Sequence, residues 1–121
     1  MGQRVVILGA SLNPDRYAYM AQKDLIEKGH EVVLVSPRYD SVDGLKCLDT
    51  ISEVTGPVDT LTLYVNAEKS SSMCDQIIAL KPGRVIFNPG TENPLLMKEL
   101  DKAAIPSLEA CTLVLLSLNR F

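Results

Sequence analysis

Five short β-rich runs, Val5–Leu8, Val32–Val35, Leu61–Val65, Val85–Phe87 and Ile105–Glu109, punctuate this chain, and a segment long enough to hold a helix separates most neighbours. Strands that read as near-continuous apolar runs are buried on both faces. Strands alternating with helices are joined by right-handed crossovers and lie parallel. The sequence therefore predicts an α/β fold: a Rossmann-like, doubly wound parallel sheet of about five strands with helices on both faces.

Residues 14–28 read as the first helix, with Asn13 as N-cap, Pro14 at the first helical position and Gly29 as the stop. Ala18, Ala21 and Leu25 lie on its buried face at i, i+3 and i+7. Residues 39–57 read as a loop with a short helical turn near 50–54. Residues 67–81 read as one helix with Met73, Ile77 and Leu80 on one face, ended by Pro82-Gly83. Asn93-Pro94 repeats the Asn-Pro start for a helix marked by Leu96, Leu100 and Ala103, and residues 112–118 hold a last helical turn or two.

With 121 residues, the chain is expected to form one domain over residues 1–121. Lys and Arg number 12 against 15 Asp and Glu, a net charge of −3, which argues against a nucleic-acid or membrane-surface partner. No apolar run approaches the ~18 residues of a membrane span, and the first apolar run ends in a glycine turn rather than a cleavage site. Cys47, Cys74 and Cys111 are odd in number and widely spaced, so neither a disulfide framework nor a zinc ribbon is expected. These features together favour a cytoplasmic location.

Doubly wound sheets bind ligands outside the carboxyl ends of their strands. Here those ends are Gly9-Ala10-Ser11, Ser36-Pro37-Arg38, Tyr64-Val65-Asn66, Asn88-Pro89-Gly90 and Glu109-Ala110-Cys111. In the first, Gly9, Ser11 and Pro14 fall on the three glycine positions of a dinucleotide loop, and only Gly9 matches. Ser11 offers a hydroxyl instead. Pro14 is expected to open the helix and leave the N–H groups of residues 15 and 16 free, with Arg16 adding a full positive charge. After the second strand an NAD site would carry an acid for the ribose hydroxyls; this chain carries Ser36, Pro37 and Arg38. A guanidinium there favours a phosphorylated ribose, as in NADP or coenzyme A. Arg38 reads equally well as a solvated loop charge.

These turns resemble a known family. Gly9-Ala10-Ser11 with Asn13-Pro14-Asp15-Arg16, then Ser36-Pro37-Arg38, Tyr64-Val65-Asn66 and the loop Asn88-Pro89-Gly90-Thr91-Glu92-Asn93-Pro94, are similar to the small stand-alone CoA-binding proteins. Those in turn are similar to the N-terminal CoA-binding domain of the succinyl-CoA synthetase α subunit. The resemblance implies that Gly9, Ser11 and Arg16 line the phosphates and that Ser36, Pro37 and Arg38 lie against the nucleotide. It also implies that Tyr64, Val65 and Asn66 flank the adenine or the pantetheine arm, with Asn88, Pro89 and Gly90 closing the far side. Two positions depart from the family pattern: Ala18 stands where a serine is common, and Ser36 where an asparagine is common.

The synthetase works through a phosphorylated histidine. The single histidine here, His30, follows the helix-stopping Gly29, at the end of the second strand away from the expected site, and reads as an exposed turn residue. No P-loop motif and no nucleophile–base–orienter set is present. Glu92 and Glu109 read as a general base or as caps, and Cys111 as a buried apolar residue or as a thiol facing that of CoA. The expected function is non-catalytic binding of CoA or an acyl-CoA, with a homo-oligomer or a partner enzyme as its associate. The alternative is a small NADP-dependent oxidoreductase, or a fragment of one, which would need a substrate domain this length does not provide.

Overall fold

The structure is a computed structural model describing residues 2–121; Met1, the first residue of the expected domain, lies outside the described residues. Strand β1 (Arg4–Leu8) is central, and its side chains alternate between two cores. Val5 and Ile7 face one way, toward helix α1 (Tyr17–Glu27) and helix α5 (Thr112–Ser117), where Ala18, Ala21, Leu25 and Leu116 meet them. Val6 and Leu8 face the other way, toward helices α3 (Cys74–Leu80) and α4 (Pro94–Lys102), which supply Ile77, Leu96 and Leu100. Both layers must be apolar at β1, which is why this run has no polar interruption.

Beside β1 lie β2 (Glu31–Val35) on one side and β5 (Thr60–Leu63) on the other, both parallel to it. Strands β6 (Arg84–Phe87) and β7 (Ser107–Glu109) extend the β5 side in parallel. On the β2 side, β4 (Leu45–Leu48) pairs in parallel, and β3 (Ser41–Val42) closes the edge antiparallel to β4. The sheet thus has seven strands in the order β3-β4-β2-β1-β5-β6-β7. Chain order reverses between β1 and β5, the place where doubly wound sheets open a crevice. No helix among the described residues is long and apolar enough to cross a membrane.

Four expectations need correction. The segment read as a loop over 39–57 contains the β3–β4 hairpin, turned by Asp43 and Gly44 at φ 51° and 78°. An Asp-Gly pair is a strong signal for such a turn, and the Tyr19 hydroxyl ties it to α1 by donating to Asp43 Oδ2 at 2.7 Å. The helical turn expected beyond it is present as a 3-10 turn at Ile51–Glu53, where the Glu53 carboxylate accepts the N–H of Thr50.

The helix expected over 67–81 is two, α2 (Ala67–Ser72) and α3, broken at Met73. The hydroxyls of Ser70 and Ser72 donate to the carbonyls of Ala67 and Lys69, three residues back, and compete with the helical ladder. The first helix begins at Tyr17 rather than at Pro14, because Asn13 caps only its own turn. Its Oδ1 accepts from the Asp15 N–H at 2.9 Å, and its carbonyl accepts from Arg16 at 3.0 Å.

His30 is the fourth. It is not an exposed turn residue but half-buried, its Nδ1 accepting the Gln3 N–H at 2.9 Å and its ring edge-on to Phe121 at 5.1 Å. Burial, then positive charge nearby that includes Arg84, holds its pKa below the usual value. The folded chain therefore binds fewer protons at His30 than the unfolded chain just below pH ~6.5, so this contribution is complete above that pH and shrinks as pH falls toward the lowered folded value. Urea denaturation of wild type and of His30→Gln should give stabilities that diverge less at pH 5.5 than at pH 7.5. A constant gap would show that His30 titrates alike in both states.

Candidate functional site

The ladder registers bring Leu48, Val35, Leu8, Leu63, Phe87 and Glu109 level across the sheet. The residue after each strand therefore starts a loop at one shared edge, and all five predicted turns meet there. How each side chain is held divides them into two layers.

The inner layer builds the edge. Gly9 has φ 97°, and a Cβ there would lie 3.0 Å from the carbonyl carbon and oxygen of Tyr64, so the end of β1 closes directly onto that of β5. The N–H groups of Gly9 and Ala10 both donate to the Val35 carbonyl, at 2.9 and 3.2 Å, and Ala10 is buried. Neither amide is free for an anion. Ser36 is buried, and its Oγ accepts the Arg38 N–H at 3.3 Å. Tyr64 packs toward α1 and α5; its hydroxyl is buried without a full hydrogen bond, and burial pushes its pKa up to about 12 while the Thr112 and Thr62 hydroxyls pull weakly the other way.

Asn88, expected to close the far side of a ligand, is committed to the fold. Its Nδ2 donates to Thr62 Oγ1 at 2.6 Å and to the Leu63 carbonyl at 2.9 Å, and its Oδ1 accepts the Thr112 N–H at 2.9 Å. Thr62 and Thr112 also share a hydroxyl bond of 2.8 Å. These two threonines were not legible as part of the edge. The one signal for Thr62 is a polar residue inside a strand that is buried on both faces; Thr112 opens α5 and carries none.

The outer layer is exposed. Ser11 Oγ accepts the Asn13 N–H at 3.1 Å and keeps its own proton free to donate. Pro14 sits in the loop ahead of α1, and the N–H groups of residues 15 and 16 are taken by Asn13 instead of being free as expected. Arg16 is the N-cap residue of α1. Both Arg16 and Arg38 are exposed, and neither enters an ion pair among the described residues. Pro37 is exposed beside Arg38, and Val65 is half-buried. Asn66 caps α2 through Oδ1 and the Lys69 N–H.

Beyond β6, Pro89 and Gly90 are exposed, and the Glu92 carboxylate accepts the Gly90 N–H at 3.0 Å. That bond marks Glu92 as a loop cap. Cys111 is the N-cap residue of α5 and is only half-buried; the fully buried thiol is Cys47. Two hollows, of about 500 and 320 Å³, lie away from this edge, one at the amino end of the sheet and one between the 3-10 turn and α3. The strand-end row is an open shelf, suited to an extended ligand lying across it.

Residues 3–117 match the family described as CoA binding domain. The chain belongs to this family. A crystal structure of an uncharacterized protein is 40% identical, superposes with a TM-score of 0.94 and is covered to 99%, with 100% of this chain covered. The uncharacterised YneT of Bacillus subtilis is 26% identical over 76 residues, 63% of this chain and 56% of its own length. The acetate–CoA ligase (ADP-forming) of Methanocaldococcus jannaschii is 28% identical over 61 residues, half of this chain but 9% of the ligase. The chain thus spans about half of one curated relative it matches and a small part of the other. This chain presents two guanidinium groups, Arg16 and Arg38, with no ion-pair partner among the described residues, on the loops after β1 and β2.

Proposed function

We propose that the chain is a non-catalytic module that binds CoA or an acyl-CoA along the carboxyl edge of its sheet. The observation that carries this reading is the pair Arg16 and Arg38, two exposed cations without carboxylate partners among the described residues, on loops that the β1–β2 register sets side by side. The Ser11 hydroxyl adds a free donor to the first loop. This donor set fits a polyanionic nucleotide. Arg38, with no acid beside it at the end of β2, fits the 3′-phosphate of CoA better than the bare ribose of NAD.

The family match supports CoA over NADP. Binding without catalysis is supported by His30 sitting at the opposite end of the sheet, engaged with Gln3, and by Glu92 being engaged with Gly90. Cys47, Cys74 and Cys111 are free thiols, in keeping with a cytoplasmic protein that holds the cofactor for a partner enzyme or a second copy.

Titration calorimetry with CoA, dephospho-CoA, NADP and NAD tests the reading. CoA should bind tightest, and dephospho-CoA clearly more weakly. Arg38→Ala should lose about 1–3 kcal/mol of CoA binding, the usual worth of a charge-assisted hydrogen bond, while leaving dephospho-CoA nearly unaffected. Equal affinity for the two CoA forms would remove Arg38 from the site, and preference for NADP would return the dinucleotide reading.

A further inference from the structure

The two cations that carry the CoA reading stand on separate supports. Arg16 caps the start of α1, and its carbonyl accepts the N–H of Tyr19 at 3.1 Å and of Met20 at 3.2 Å, so its backbone moves with the first turn of that helix. Arg38 belongs to the segment that leaves β2 for the β3–β4 hairpin. Its N–H is held by Ser36 Oγ. Beyond it, Tyr39 and Val42 pack into the core that α1 covers, and the Asp40 carbonyl accepts the Cys47 N–H at 2.9 Å.

A single polar cluster joins the two supports. Tyr19, three residues past Arg16, donates its hydroxyl to Asp43 Oδ2 in the hairpin turn at 2.7 Å. Lys23, one turn further along α1, lies 3.5 Å from the same oxygen and 5.6 Å from the centre of the Tyr19 ring. Among the described residues, no other side-chain hydrogen bond or ion pair links α1 with segment 36–48. The bond to Asp43 raises the Tyr19 pKa, so the phenol keeps its proton at neutral pH and remains the donor.

Stability does not account for this cluster. The side chains of Lys23 and Asp43 are 59% and 39% exposed, and exposed ion pairs contribute little to folding. The hairpin is already anchored by Val42, which is fully buried. Apolar burial is non-directional, so it holds the hairpin down without fixing its angle to α1. A short charge-assisted hydrogen bond is directional and does fix it. A ligand that must meet a cation on each support gains from that, because a loop ordered in advance costs less affinity than one ordered by the ligand.

We propose that Tyr19 and Asp43 are positioning residues of the binding edge: their bond locks the hairpin onto α1, holds Arg38 at a set distance from Arg16, and so makes the site selective for a nucleotide that carries phosphate on its ribose as well as on its diphosphate arm. The proposal rests on the CoA reading and deepens it. Titration calorimetry with CoA and dephospho-CoA on the full chain tests it, beside urea denaturation of each variant. Tyr19→Phe removes the hydroxyl and keeps the ring. Asp43→Gly removes the carboxylate at a turn position, φ 51°, that glycine takes without strain.

Each should weaken CoA about three- to tenfold, the cost of ordering one long side chain on binding, and leave dephospho-CoA within about twofold of wild type. A merely structural role would weaken both ligands alike. Asp43→Asn also tolerates that φ and still offers the phenol an acceptor, so it should keep the preference for CoA. Wild type binding the two ligands equally would remove Arg38 from the site and take the clamp with it. Wild type preferring CoA, with that preference intact in both Tyr19→Phe and Asp43→Gly, would overturn the clamp alone. So would equal weakening of both ligands, or Asp43→Asn losing as much as Asp43→Gly. Should one variant fold poorly, the other reads the same bond from its opposite end.

Discussion

Asn88→Ala should destabilise the fold by about 3–5 kcal/mol, a large share of the 5–15 kcal/mol that usually holds a domain together. The side chain is 2% exposed and joins three elements: Thr62 and Leu63 of β5, the loop after β6, and the first turn of α5 through the Thr112 N–H. Truncation leaves that N–H and the Thr62 hydroxyl short of partners, at about 1–3 kcal/mol for each buried group left unsatisfied, and opens a small void. Asn88→Asp separates polarity from shape. Its carboxylate would face the Leu63 carbonyl where an N–H₂ now donates, so it should be nearly as damaging at pH 7. It should recover partly as pH falls and the carboxyl gains a proton to donate. Urea denaturation at pH 7 and pH 5 measures both. A loss below 1 kcal/mol for Asn88→Ala would mean that α5 docks without this bond.

That a residue expected to line a ligand is also tied into the fold by three hydrogen bonds shows where sequence reading reaches its limit. The five parallel strands and the edge they share were legible, because burial on both faces demands apolar runs and parallel register sets their carboxyl ends level. Which residues of that edge face outward was not, since Asn88 and Asn66 are the same residue type at equivalent turns. One is buried among Thr62, Leu63 and Thr112; the other caps α2 in solvent.

The two Asn-Pro pairs make the same point about helix starts. Asn93 Oδ1 accepts the Leu96 N–H and caps α4, while its Nδ2 donates to Ser70 Oγ at 2.8 Å. Asn13 has no such anchor among the described residues, and its Oδ1 turns to the nearer Asp15 N–H, so the helix starts later. The dipeptide is identical and the tertiary partner decides. The β3–β4 hairpin escaped for a different reason. Strands of two and four residues, with Ser41 and Lys46 exposed, are too short for a period to be seen.

Gly9→Ala should combine two penalties that Gly90→Ala separates. Both glycines have positive φ, 97° and 90°, where an L-residue is strained by about 1–2 kcal/mol. Around Gly90 a Cβ would meet nothing within 4 Å, so that substitution carries the backbone strain alone. At Gly9 the Cβ would also lie 3.0 Å from Tyr64 backbone atoms and 3.1 Å from Val65 Cγ1. Backbone cannot rotate away as a side-chain tip can, so β1 and β5 must part by a few tenths of an ångström, at a further ~1–3 kcal/mol. The expected losses are therefore about 2–5 kcal/mol for Gly9→Ala and about 1–2 kcal/mol for Gly90→Ala. The parting has a consequence for binding as well. The loop carrying Ser11 and Arg16 starts at Gly9, whereas Arg38 is anchored on β2, so moving one against the other should weaken CoA by more than the fold loses at Gly90. Urea denaturation and CoA calorimetry on both variants give the comparison. Equal losses at the two positions would show that close approach of β1 to β5 is not what requires a glycine there.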